Sequence, residues 1–298
     1  MAGAAEEWKG AEKDMKLIQS ILTGAWFAGF KVITVRCESC HRSLTLRHVS
    51  AHKAGIWMRD HWYCSSACFG SAAEEELAEL VTSKHEQSSR VERMPLELML
   101  VSSGLLSSTE FREVRNEQKE AGEEIGELLV RRGSVSEKEV TAFRARQWGC
   151  PVFALPECVL APSIHIPSTL MQFYSVIPLH YAAATNVLLV GFVRGVDYGL
   201  LYAIEKMTGC KTQPCFVTPS DFRIQMQQRQ RMEMSYRGES LREVKFESVH
   251  SSVEMARILT SYGAHLEAEE AIIEKCKEYL WARLKCGPKD VDLLFKAG

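Results

Sequence analysis

The sequence predicts an α+β protein of several small domains: a cysteine-stapled module, then a helical repeat pair plus a small α/β sandwich, then a mainly helical C-terminal segment. Three observations carry this. Two close cysteine pairs, Cys37/Cys40 and Cys64/Cys68, lie with 23 residues between them. A 24-residue unit occurs twice between Pro95 and Gln147. Residues 148–230 then alternate short β-rich runs with amphipathic stretches.

Residues 1–28 are acidic and amphipathic, a poor secretory signal, and are expected as an N-terminal helix or extension. Across the 298 residues, 36 Lys+Arg against 38 Asp+Glu give a formal net charge of −2. That balance argues against a protein that coats nucleic acid through bulk charge. The longest apolar stretch, Leu17–Val35, is interrupted by Gln19, Ser20, Thr23 and Lys31, so no transmembrane segment is expected. A cytoplasmic protein follows as the expectation.

In a reducing compartment, clustered cysteines point to metal rather than disulfides. A C-x-x-C turn aims two thiolates at one point, and two such pairs complete a tetrahedral S₄ shell. Residues 29–85 are therefore expected as a zinc-binding module, with Cys37, Cys40, Cys64 and Cys68 holding a structural Zn2+. Knuckle, β-like runs at Ser43–Arg47 and Gly55–Arg59, second knuckle and a helix resemble a zinc ribbon or treble clef. The bland alternative is four unligated thiols in a small core. His41 and His61 are the available substitute ligands. Cys150, Cys158, Cys210, Cys215, Cys276 and Cys286 read as small core hydrophobes. Lys31, Arg36, Arg42, Arg47, Lys53 and Arg59, interleaved with Trp57, Trp62 and Tyr63, outnumber Glu38 and Asp60. This leaves a nucleic-acid-binding face as an alternative to a solvated surface.

Residues 86–94 read as a polar linker. Beyond them the chain repeats at a 29-residue offset: Gly104 falls on Gly133, Glu110 on Glu139, and Gln118 on Gln147. In each copy an apolar stretch ends at a Gly suited to a left-handed cap. Ser107-x-x-Glu110 and Ser136-x-x-Glu139 then restart a helix as capping boxes. Two copies bury what one cannot, and they offer two equivalent loops to a pseudo-symmetric ligand.

This repeat resembles the N-terminal, MshEN-type domain of the type II secretion and type IV pilus assembly ATPases, whose motif is RLGxxLVxxGLLxxxxLxxxLxxQ, twice. Here the copies are separated by Lys119–Glu123, the family's five-residue spacer. Trp148-Gly-Cys-Pro-Val-Phe follows as the exit, and Ile166-Pro-Ser-Thr-Leu, Val176-Ile-Pro-Leu, Leu188-Leu-Val-Gly and Thr208-Gly-Cys-Lys-Thr continue the register to about Gln228. The resemblance implies residues 95–147 as the repeat subdomain and 148–230 as the α/β subdomain. It also implies a secretion or pilus machinery protein as partner, through which the protein would sit peripherally at the inner membrane. In some members the paired motifs bind cyclic di-GMP, which maps here onto Leu96, Gln118, Ile125, Gly126 and Gln147. Both motif arginines are replaced, by Pro95 and Glu124, and the first motif Gly by Glu97. An anionic ligand loses two charge-assisted contacts, each worth roughly 1.5–3 kcal/mol, so nucleotide binding is expected to be weak or lost. Arg93 compensates only in part. No GxxxxGKS/T occurs in the chain, so it carries no P-loop phosphate cradle.

The α/β reading also stands by itself: a helix at Ser168–Tyr174, β runs at Ser175–Leu179 and Asn186–Phe192, a helix over Asp197–Thr208, a strand at Thr212–Val217 and a helix from Thr218. For residues 231–298 a strand at Val244–Val249, a helix from Ser251 to Thr260 broken at Gly263, and a long helix at Ala268–Leu284 stopped by Gly287-Pro288 are expected. Leu293–Phe295 is expected to dock on that helix, and Asp290-Val-Asp292 to be a solvated turn. His165, His180, His250 and His265 are scattered and no nucleophile motif is present, so no catalytic residue is assigned. The function expected from sequence is a non-catalytic bacterial adaptor of a secretion or pilus system. A cyclic di-GMP sensor, or a nucleic-acid-binding regulator working through the zinc module, are the alternatives.

Overall fold

The computed structural model describes residues 34–52, 54–83, 93–153, 164, 166–235, 242–249, 251–287 and 289–297. The expected N-terminal helix and the 86–94 linker lie mostly or wholly outside these residues, as do Cys158, His165 and His250.

The cysteine module opens with strands β1 (Thr34–Arg36) and β2 (Ser43–Thr45), an antiparallel pair, followed by a short helix α1 (Leu46–His52). Strands β3 (Ile56–Met58) and β4 (His61–Tyr63) form a hairpin whose turn holds Arg59 and Asp60 at φ 48° and 65°. Helix α2 (Ser66–Thr82) starts at Ser65, whose hydroxyl accepts from the Cys68 N–H. That start is earlier than the acidic stretch after Cys68 suggests, and it puts Cys68 in the first turn.

Four helices make the repeat: α3 (Leu96–Ser102), α4 (Ser108–Ala121), α5 (Ile125–Arg131) and α6 (Glu137–Trp148). Gly104 and Gly133 take φ of 77° and 73° at equivalent turns, as the repeat predicts. Their shared core is Leu96, Leu100, Leu106, Val114, Ile125, Leu128, Leu129, Val135, Val140 and Phe143. The α/β subdomain follows the expected order: α7 (Ser168–Tyr174), β5 (Val176–Ala182), β6 (Val187–Phe192), α8 (Tyr198–Thr208), β7 (Lys211–Phe216) and α9 (Pro219–Ser235). Its sheet runs β5-β6-β7, with β5/β6 antiparallel and β6/β7 parallel.

The C-terminal segment departs from expectation. The long helix expected at Ala268–Leu284 is a hairpin of β9 (Glu270–Cys276) and β10 (Tyr279–Cys286), turning at Lys277 with φ 60°. Leu293–Phe295 belongs to a third strand, β11 (Lys289–Ala297), paired antiparallel to β10. Asp292 is a fully buried residue of that strand rather than part of a solvated turn. The cause is that this sheet is covered on both faces. Apolar residues at both odd and even positions, such as Ala271, Ile272 and Ile273, blur the strand alternation, and some of them fall at helical spacing by accident. Strand β8 (Arg242–Val249) agrees with the sequence reading; helix α10 (Ser252–His265) does not stop at Gly263 but runs through it.

Nor do the cysteine module and the C-terminal segment stay apart. They share one six-stranded sheet of order β4-β3-β9-β10-β11-β8, in which β3 runs parallel to β9 and β8 parallel to β11. One face, with Ala271, Ile273, Leu280, Ala282, Leu284, Leu293 and Phe295, packs under α2 and α10. The other, with Val244, Cys276, Tyr279, Trp281 and Leu294, packs on the α/β subdomain and joins its core.

On that second face β10 grips both ends of α8. Asp197 caps the helix N-terminus, its Oδ1 accepting from the Leu200 N–H at 2.9 Å while its Oδ2 accepts from the Tyr279 hydroxyl at 2.5 Å. At the other end the Arg283 guanidinium donates to the Met207 carbonyl at 3.1 Å, a cation at a helix C-terminus. Arg283 is itself held by Asp292 at 2.8 and 3.0 Å, and Asp292 also accepts from the Trp281 indole N–H at 3.1 Å. Removing one partner of such a pair leaves a buried charge, costing about 3–5 kcal/mol. Asp292→Ala should therefore lower chemical-denaturation stability by about that amount, and Arg283→Met with Asp292→Leu together should recover most of it.

Candidate functional sites

The structure brings together the four cysteines singled out by spacing. Cys37 follows β1, Cys40 sits in the knuckle, Cys64 follows β4 and Cys68 lies in the first turn of α2. All four Sγ atoms lie within 4.8 Å of one another, Cys40–Cys64 at 3.4 Å and Cys64–Cys68 at 3.8 Å. The knuckle is closed by the Cys37 N–H to the Arg42 carbonyl and the His41 N–H to the Cys37 carbonyl, both 2.9 Å, with His41 at φ 60°. The Cys64 N–H points at Cys37 Sγ at 3.4 Å, and the Glu38 N–H bonds the Trp62 carbonyl at 3.1 Å.

Burial opposes charge on Cys37, yet hydrogen bonds from the backbone around Cys40, Cys64 and Ser39 hold its thiol down at about 6. The Ser65 hydroxyl lowers Cys68 as well. Cys64 is pushed up to about 12, by burial first and then by its three sulfur neighbours. Four sulfurs this close cannot all be thiolates without a cation among them. A tetrahedral S₄ zinc site with Zn–S of about 2.3 Å sets its sulfurs about 3.8 Å apart, so the donor set fits. His41 is not part of the cluster, and His61 faces Glu38 instead, with Nδ1 3.4 Å from its carboxylate.

The second site is the repeat, whose two copies are used differently. Helix α3 starts at Pro95 with no side-chain cap, whereas α5 starts at Glu124, whose carboxylate accepts from the Glu127 N–H at 3.3 Å. The same carboxylate pairs with Arg144, whose side chain is 3% exposed and which also donates to the Val193 carbonyl at 2.8 Å. The guanidinium lies over Gly126: a Cβ there would come within 2.6 Å of it. Leu96 and Ile125, the residues before Glu97 and Gly126, are buried in the repeat core. Gln147 donates to the Met94 carbonyl at 2.6 Å, while the half-buried Gln118 accepts from the Gly122 N–H through its backbone carbonyl. Arg93 stacks on Trp148, 3.7 Å from the ring centroid.

Copy two also holds the α/β subdomain, through Glu127 to Arg194 at 2.8 Å, Glu137 to Arg223 at 3.3 Å, and Glu137 to the Ser220 N–H at 3.2 Å. A cleft of about 370 Å³ lies at this seam, floored by Gly126, Val130, Val140, Val193 and Phe222. In copy one the position of Glu127 is taken by Leu98, which is 45% exposed, with Leu105 exposed nearby in sequence. Sequence reasoning missed Arg144. The available signal was an arginine one helical turn beyond Val140, on the apolar side of α6.

Among the described residues no helix is long and apolar enough to cross a membrane. No described protein family matches the chain. Curated relatives are the type IV pilus assembly ATPases PilB of Myxococcus xanthus, 28% identical over 111 residues, and of Thermus thermophilus, 26% identical over 125 residues. These matches cover 37% and 41% of this chain but only 19% and 14% of the relatives. The resemblance is to part of a larger ATPase. Structural neighbours are MshE solved with cdg (TM-score 0.39, 18% identity) and the N-terminal domain of XpsE (TM-score 0.37, 17% identity), each covering 46% of this chain. The match spans 99% of the MshE chain and 96% of the XpsE chain.

Both repeat copies close their capping boxes, Ser107 with Glu110 and Ser136 with Glu139. Ser107→Ala and Ser136→Ala should each cost about 1 kcal/mol in denaturation experiments. The serine hydroxyl and N–H hold each glutamate below its ordinary 4.5. A lowered folded pKa stabilises at pH above the unfolded value, so the penalty of either substitution should shrink as the pH falls below about 4.5.

Proposed function

We propose that the chain is a non-catalytic bacterial adaptor that binds a protein component of a type II secretion or type IV pilus system, with a structural zinc ion at Cys37, Cys40, Cys64 and Cys68. The observation that carries this reading is the asymmetry of the repeat. The second motif loop is filled from within: a carboxylate caps α5 where an anionic ligand needs a cation, and Arg144 lies across the approach to Gly126. In the first copy the positions of Glu127 and Ser134 are taken by Leu98 and Leu105, both exposed. A scaffold that keeps its repeat core, engages its own ligand loop and exposes leucines is suited to a protein surface rather than a nucleotide. The partial likeness to pilus assembly ATPases supports a partner drawn from that machinery, and a cytoplasmic location goes with it.

Leu98→Glu with Leu105→Glu should abolish capture of purified cytoplasmic components of a secretion or pilus platform while leaving the thermal transition within a few degrees. Capture that persists in this double variant contradicts the proposed surface. Calorimetric titration of the full chain with cyclic di-GMP should give no heat at micromolar concentrations; binding there would replace the adaptor reading by a nucleotide sensor. Elemental analysis should find about one zinc per chain, lost in Cys37→Ser and in Cys64→Ser. Retention of zinc in both variants would remove the site.

A further inference from the structure

We infer that metal at the four cysteines controls how firmly the six-stranded sheet closes on α8, so that metal occupancy sets the hold of the two chain ends on the central domain. This rests on the metal assignment above and goes beyond it. The hairpin β3–β4 is short, and β3 meets β9 through two register pairs, Trp57–Glu270 and Met58–Ala271, a ladder that includes the bond from the Trp57 N–H to the Glu269 carbonyl at 2.9 Å. Three-residue strands with so few ladder bonds lean on the burial of Ile56, Met58 and Tyr63 in the shared core and on a further anchor beside them. The sulfur cluster is placed to supply it, because its ligands flank the hairpin: Cys37 bridges to Trp62 in β4, Cys64 follows Tyr63, and Cys68 opens α2.

Helix α2 carries the constraint onward. Phe69, Ala73 and Leu77 are fully buried against the face of the sheet that holds Leu280, Ala282 and Leu284. The far end of α2 is capped from the sheet itself, where Lys275 of β9 donates to the Leu80 and Ser83 carbonyls at 2.6 and 2.8 Å. Arg59 of the β3–β4 turn pairs with Glu76 of the same helix. The opposite face of β10 then holds α8 through Tyr279 and Arg283. Metal site, α2, β9–β10 and α8 thus form one chain of direct contacts; α6 touches α8 through Trp148 on Tyr198, while α3–α5 lie outside the chain.

The experiment is hydrogen exchange on the full chain, as purified and after chelation, with zinc content measured on the same samples. Removal of zinc should raise exchange about tenfold or more across 56–82, 270–286 and 198–208, with 96–131 unchanged. Cys64→Ser with Cys68→Ser should reproduce that pattern, and Cys150→Ser, a thiol outside the cluster, should leave both zinc and exchange as they are. Loss of zinc with 198–208 still protected overturns the inference and leaves the metal assignment standing. Loss of protection spread equally into 96–131 also overturns it, since zinc would then govern global folding only. A chain that takes up no zinc removes the metal assignment and this inference together.

Discussion

Strand β10 holds α8 at both ends, and most of the molecule is arranged around that contact. Tyr279 and Arg283 are four residues apart on one face of an extended strand, a span of about 13 Å. An eleven-residue helix measures about 16 Å, so the two side chains reach its first and last turns. Neither contact works alone. Asp197 must cap the helix before Tyr279 has an acceptor, and Arg283 needs the buried Asp292 carboxylate before its charge can be tolerated beneath the sheet. Trp281, between them, buries its ring in the shared core and spends its indole N–H on the same carboxylate.

The same sheet makes the cysteine module and the C-terminal segment neighbours. The β9–β10–β11 meander buries both of its faces, one against the central domain and one under α2 and α10. Its β9 edge is finished by the β3–β4 hairpin from the cysteine module, which the sulfur cluster flanks. The central repeat makes its seam with the α/β subdomain separately, through ion pairs of its second copy, and so leaves the first copy free to present leucines.

Local signals made the middle of the chain legible. Paired capping boxes, glycines at equivalent turns and the cysteine spacing each act over a few residues, and each corresponds to an observed local geometry. The C-terminal strands were not legible for a physical reason. Ile272 and Cys276 face the central domain while Ala271, Ile273, Leu280 and Leu284 face α2 and α10, and a strand buried on both sides has no polar alternation to read. Long-range pairing was equally hidden: nothing near Trp57 announces Glu270 as its neighbour. Glu124 could be read as the loss of a motif arginine, but not as the partner of Arg144, because that pairing depends on how α5 and α6 pack.

A double-mutant cycle between the two sides of the clamp tests this account most directly. Tyr279→Phe, Asp197→Asn and the pair together would be measured by denaturant unfolding under identical conditions. If β10 and α8 are coupled as described, the interaction energy should be about 1–3 kcal/mol. Additive effects, with an interaction energy near zero, would contradict the view that the sheet built from the chain's two ends is fastened to the central domain through this strand and helix.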